Sequence, residues 1–208
     1  MKAAVVIDKK LRIEDVAEPI PKAHELLVSS LVCGICGTDL HCVHNAKEMS
    51  DSSLRALGKA IVDPNRPISL GHEFCAEVLE PLKGDSRFKS GDRVVALPFL
   101  AREDGMVFIG SAPTDIPGGF AQRMTIDSRM AFAVPNGLSS EMAALTEPMA
   151  VALHAVNQAK ITQRDVPLVV GCGPIGLAII AVLKMRGIEP IVSADFSAGR
   201  PALSLIHI

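Results

Sequence analysis

From Met1 to about Val134 the apolar positions come in short runs of Val, Ile and Leu, separated by Pro, Gly and charged clusters. This is the pattern of a many-stranded β domain. The expected strands are Lys2 to Ile7, Leu11 to Val16, Glu25 to Cys33, Cys75 to Leu82, Arg93 to Leu97 and Gly119 to Ile126. Two longer stretches interrupt them. Cys42 to Leu70 reads as a long loop holding a short helix over Ser52 to Ile61, with Leu54, Leu57 and Ile61 on one face. Pro98 to Pro117 reads as loop throughout. From Ser139 the period changes, and Ala143, Ala144, Glu147, Val151, His154 and Ala155 recur at helical spacing with Ser139 or Ser140 as N-cap. Pro148 falls where a new helix to about Lys160 can begin, since proline is tolerated in a first turn and not deeper. Val166 to Val170, Ile175 to Met185 and Pro190 to Ala194 then read as strand, helix and strand, one β-α-β unit of a parallel sheet.

The bulk numbers narrow the class without naming a function. With 208 residues, 49% hydrophobic content and a net charge of −2, the chain can bury a substantial core. No basic run suggests nucleic acid as a partner, and the longest apolar stretch is broken by Lys184, Arg186 and Gly187, so no membrane span is expected. Asp8 to Arg12 carries charges where a secretory leader would continue apolar, which points to the cytoplasm. Five cysteines, an odd number, suit thiols or thiolate ligands in a reducing compartment better than disulfides.

Chemistry concentrates in three glycine-rich places. The run Leu31 to His41, L-V-C-G-I-C-G-T-D-L-H, and the triplet Gly71-His72-Glu73 together bring thiols, imidazoles, a hydroxyl and carboxylates. A catalytic zinc needs three protein ligands and an open position, and Cys36, His72 and one carboxylate supply such a set. Cys33 with Cys36 forms a C-x-x-C, but no second pair follows and the surroundings lack the βαβ setting of a redox motif, so Cys33 and Cys42 are expected to be buried thiols. His24 and His44 read as surface residues, and His154 as a helix-packing one. Asp39 is expected to hold its loop by hydrogen bonds to backbone. The third place is Gly171-x-Gly173-x-x-Gly176, which follows an apolar strand, opens a helix with Pro174 and Ile175, and is followed by Asp195 after a second strand. That context makes it a dinucleotide fingerprint, with Asp195 accepting from the adenosine ribose and favouring NAD over NADP. Arg200, just beyond, is a further candidate for the cofactor.

The motif pair C-G-T-D-L-H and G-H-E, from Cys36 to His41 and Gly71 to Glu73, resembles the zinc-dependent medium-chain alcohol and polyol dehydrogenases, and the resemblance runs from Met1 to about Arg200. It implies a mixed β and α/β fold: a GroES-like β-barrel catalytic domain over 1–146, then the first β-α-β unit of a Rossmann domain over 147–200. It also implies that Cys36 and His72 are zinc ligands, with Glu73 or Glu147 competing for the third place, Leu145-Thr146-Glu147-Pro148 matching the polyol dehydrogenases there. Thr38 and His41 match the family's proton relay, from substrate oxygen to surface imidazole. Pro98 to Pro117, where the family often carries four cysteines around a structural zinc, holds none, so one catalytic zinc and no structural zinc are expected. The implied activity is oxidation of a secondary alcohol or polyol by hydride transfer to NAD, in a homodimer or homotetramer. The alternatives are a zinc-independent enone or quinone reductase of the same superfamily and a non-catalytic β-barrel binding module. Since one β-α-β unit leaves a parallel sheet without neighbours, the chain reads as cut short and inactive alone. Residues 201–208 are expected to be a non-native tail, because LSLIHI matches the translation of a commonly used transposase adapter.

Overall fold

A computed structural model describes residues 1–103, 105–135, 137–197 and 199. The chain divides after Leu145 into two compact units. The predicted tail and Arg200 lie outside the described residues. No described helix is long and apolar enough to cross a membrane.

The first unit is built on strands β1 (Lys2–Ile7), β2 (Lys10–Asp15), β3 (Glu25–Gly34), β4 (Ile68–Ser69), β5 (Glu73–Glu80), β6 (Arg93–Ala96), β7 (Phe99–Arg102), β8 (Gly105–Phe108), β9 (Arg123–Asp127) and β10 (Ala131–Ala133). Five of them form one sheet in the order β10-β6-β5-β3-β9, three form β2-β1-β4, and β7 pairs with β8. Alternation explains the core. Leu26 and Val28 of β3, Phe74, Ala76 and Val78 of β5, Val94 of β6, and Met124 and Ile126 of β9 point into one cluster with Leu100 and Ile109. The opposite face of β5 is also covered, because Cys75 packs with Val95 and with Ala143 and Ala144 of helix α2 (Ser140–Ala144). Ser139 caps α2 through its hydroxyl, which accepts from Met142 N–H at 3.3 Å.

A register shift in β3 sets up the site. The β3–β5 ladder slips between Ser30 and Val32, leaving Leu31 unpaired. One extra residue reverses which side chains face which way. Even-numbered Leu26 and Val28 face the main core before the slip, whereas after it odd-numbered Cys33 packs there and Val32 turns to Cys75. The ladder then ends at Cys33 opposite Phe74 and Gly34 opposite Glu73.

Two sequence expectations are corrected in this unit. In the stretch Cys42–Leu70, read as a loop with a helix over Ser52–Ile61, residues up to Leu57 instead belong to one long helix, α1 (Gly37–Leu57), kinked at Asn45 (φ −130°, ψ 31°) and closed by left-handed Gly58. Its buried stripe is Cys42, Val43, Ala46 and Met49 against Val62, Ile68 and Leu70, while Leu54 and Leu57 are 54% and 70% exposed. The second supposed loop contains the β7–β8 hairpin, with Phe99 opposite Phe108 and Arg102 opposite Gly105.

The second unit holds α3 (Thr146–Ala159), β11 (Leu168–Val170), α4 (Pro174–Met185) and β12 (Val192–Ala194), with β11 and β12 parallel. Ala152 and Val156 of α3 pack with Val169, Ile180 and Leu183. His154, expected to pack, is exposed on α3. One face of the strand pair is open, as Leu168 and Val170 are 61% and 73% exposed while Val169 between them is buried.

Candidate metal and cofactor sites

The end of the β3–β5 ladder brings the two glycine-rich segments together. Cys36 follows β3 and caps α1, His72 precedes β5, and Glu73 is the first residue of β5. One ligand atom from each of Cys36, His72 and Glu73 lies within 4.8 Å of the others. Tetrahedral donors at about 2.0–2.3 Å from a zinc stand about 3.3–3.8 Å apart, so closing on an ion would draw these atoms together by up to about 1.5 Å. His72 is 3% exposed.

Asp39, in the first turn of α1, ties the segments to each other. Its Oδ2 accepts from Cys36 N–H at 2.9 Å and its Oδ1 from Gly71 N–H at 3.1 Å. Both are the backbone hydrogen bonds expected of this residue. The carboxylate also stands 3.5 Å from His72 Nδ1, in ionic contact but short of a hydrogen bond. Nδ1 is the one buried side-chain nitrogen or oxygen among the described residues without a hydrogen-bond partner. Burial opposes charge on this imidazole, but Asp39 and then Cys36 outweigh it and push the His72 pKa up to about 10. A basic imidazole backed by a carboxylate, beside a thiol and a second carboxylate, fits a zinc ligand set, since carboxylate partners orient ligating histidines and raise their basicity.

Cys33 is placed otherwise. Its sulfur packs against Gly71 and Gly119, where a Cβ would stand 3.0 and 2.6 Å away. Burial, with Asp39 adding to it, pushes its thiol up to about 12. The residue is half-buried rather than buried as expected, and a neutral thiol packed in this way is a packing residue rather than a ligand or redox partner. Gly71 itself has φ +95°, and a Cβ there would come 2.6 Å from Phe120 N, so this turn accepts only glycine without strain.

Phe108 was not foreseen. Its ring lies 5.2 Å from that of His72, tilted by 51°, and Phe99 packs on it at 5.4 Å. The readable signal was Asp104-Gly105 between two apolar runs, a hairpin-type dipeptide. Thr38 is half-buried in the first turn of α1, and His41 is exposed with Nδ1 3.3 Å from Asn45 Nδ2. Glu147 opens α3 in the second unit.

In that unit β11 runs into Gly171 (φ +94°), Gly173 caps α4, and Pro174 and Ile175 form its first turn. A Cβ on Gly176 would collide with the Gly171 carbonyl oxygen, so the third glycine allows the helix to start against the turn. Asp195, just after β12, accepts from Cys172 N–H at 2.8 Å and from Ser197 N–H at 2.7 Å.

Residues 22–136 match the family described as the alcohol dehydrogenase GroES-like domain. The chain is 36% identical over 203 residues to (R,R)-butanediol dehydrogenase of Bacillus subtilis, covering 92% of this chain and 57% of that protein. It is 31% identical over 209 residues to the sorbitol dehydrogenase of the same organism, covering 94% and 56%. The crystal structure of 2R,3R-butanediol dehydrogenase from B. subtilis superposes with a TM-score of 0.82 at 33% identity, over 99% of this chain and 60% of that one. Galactitol-1-phosphate dehydrogenase from Escherichia coli gives 0.81 at 26% identity, over 99% and 59%. The chain thus spans a little over half the length of the curated relatives it matches. Its match over residues 22–136, more than half of the chain, makes it a member of the alcohol dehydrogenase GroES-like domain family.

Proposed function

We propose that this chain carries the metal and cofactor sites of a zinc-dependent, NAD-linked oxidoreductase that converts a secondary alcohol or polyol to a ketone. The observation that carries the reading is the convergence of Cys36, His72 and Glu73 donors within 4.8 Å at the ladder end, around a buried imidazole. Relatives named as butanediol and sorbitol dehydrogenases support the substrate class. Cys36 and His72 are the first two ligands of one catalytic zinc, and Glu73 or Glu147 is the third. When bound, zinc supplies the Lewis acidity that eases ionisation of an alcohol. The chain's own residues move the proton: Thr38 hydrogen-bonds the substrate hydroxyl, and His41, exposed on the same helix, passes the proton to solvent. Asp39 and Phe108 keep the His72 ring in place.

Gly171 and Gly173, where a Cβ would meet nothing, leave room for a pyrophosphate at the start of α4, where backbone N–H groups favour an anion, and Gly176 lets that helix start against the turn. Asp195 takes the adenosine ribose and disfavours a 2′-phosphate, which selects NAD. The whole protein acts as a cytoplasmic homodimer or homotetramer without a structural zinc. The zinc-independent enone or quinone reductase reading has no use for a thiol and a carboxylate brought together on a buried imidazole. Metal analysis separates the two: bound zinc with NAD-dependent oxidation of secondary alcohols supports the proposal, and enone reduction by the metal-free protein contradicts it.

A further inference from the structure

The β7–β8 hairpin is held at both ends. At its open end Leu100 and Ile109 are fully buried, and a Cβ on Gly110 would stand 2.8 Å from the Gly71 carbonyl and 3.0 Å from His72 Cβ. Here Phe108 meets the imidazole and Phe99, its cross-strand partner, backs it. At the turn end Arg102 forms a two-pronged ion pair with Glu25, Nε to Oε1 at 2.8 Å and Nη2 to Oε2 at 3.1 Å, with the side chains 11% and 2% exposed. Ala101 between them donates to Asp127 at 3.3 Å and accepts from Arg129 at 3.2 Å.

A buried ion pair is often no more stabilising than apolar residues of the same volume, because both charges lose their hydration. What a planar guanidinium on a carboxylate does supply is a fixed orientation. Glu25 begins β3, the strand that ends beside Cys36, and Arg102 ends β7, the strand that begins with Phe99. The pair therefore couples the strand leading to the thiol with the hairpin leaning on the imidazole.

We propose that Arg102, through its pair with Glu25, is a positioning residue for His72: it sets the hairpin so that Phe108 presses on the ring and fixes its plane while Asp39 faces Nδ1. This rests on the metal reading above. Without the fork the hairpin shifts, the imidazole gains freedom, and a bound ion is held less firmly.

The test follows chelator-driven release of Co2+ from the loaded chain by visible absorbance, together with amide hydrogen exchange of the metal-free chain. Arg102→Met and Phe108→Leu are each expected to speed release about tenfold or more, the usual range for outer-shell partners of a metal site. Arg102→Lys, which keeps the charge and loses the fork, falls between. Arg87→Met, which removes the surface pair with Asp85, leaves release unchanged. Exchange at Gly71 to Glu73 should rise with that at Val107 to Gly110 in the Arg102 variants. If Arg102→Met does not fold, Arg102→Lys decides on the same readings. Unchanged release and unchanged exchange at Gly71 to Glu73 in a folded Arg102 variant would overturn the proposal. Failure of the parent chain to take up Co2+ would sink the metal reading instead, and exchange at Gly71 to Glu73 would then decide the role of Arg102 alone.

Discussion

Asp39 Oδ1 stands 3.5 Å from His72 Nδ1 while the same carboxylate accepts from the backbone of Cys36 and of Gly71. One side chain thus spaces the thiol segment from the imidazole segment and faces the nitrogen that needs orienting. Asp39→Asn keeps the size and one acceptor but removes the charge. It is expected to weaken metal retention about 10- to 100-fold in a chelator competition, with the fold intact by circular dichroism. Retention equal to the parent would reduce Asp39 to a loop fastener.

Gly71→Ala tests the turn that precedes the ligand. With φ at +95° and Phe120 N in the way, a Cβ requires both an unfavourable backbone and a shift of Phe120. The expected loss is about 1–3 kcal/mol in denaturant unfolding. A variant as stable as the parent would mean the turn can be redrawn without glycine.

How much of this was legible in the sequence depended on the kind of signal. The strands were readable from their apolar runs, as was a serine cap at Ser139 or Ser140, of which Ser139 is the one used, because a hydroxyl ahead of Glu141 is a common helix start. The start of α1 was not, since its N-cap is a cysteine and the glycines around it look like loop. Its kink at Asn45 and its modest apolar stripe also hid its length. Cys36, His72 and Glu73 could be named as candidates but not placed, because their meeting depends on where the β3–β5 ladder ends after a slip at Leu31. Phe108 over His72 is a tertiary contact with no local trace beyond Asp104-Gly105. The same holds for the Arg102–Glu25 pair, whose partners are far apart in the chain.

Asp127 gives the fold a pH dependence. Burial raises its pKa, but hydrogen bonds from Arg129 and Ala101 outweigh that and hold the carboxyl below its ordinary value. A depressed folded pKa means stability that is present above the unfolded pKa, about 3.9, and is lost as pH falls through the lower folded value. Asp127→Asn should therefore cost about 1–3 kcal/mol near pH 7, a cost that shrinks below about pH 4. Urea titrations of both proteins across pH 3–7 check this, and parallel curves would contradict it.

His41→Ala should slow alcohol oxidation by the whole protein more at low pH than at high pH, where hydroxide can take the proton without an imidazole. A pH–rate profile of the two proteins is the check. An equal loss at every pH would make His41 a structural residue of α1.

The central claim is that the thiol of Cys36, and not that of Cys33, helps hold a metal. The most direct measurement is zinc content per chain after exhaustive dialysis, for the parent, Cys36→Ser and Cys33→Ser. The Cys33 thiol, packed against Gly71 and Gly119 and pushed up to about 12, is not a ligand on this account. One zinc in the parent and in Cys33→Ser, with none in Cys36→Ser, is the predicted result; zinc retained by Cys36→Ser, or lost from Cys33→Ser alone, would contradict it.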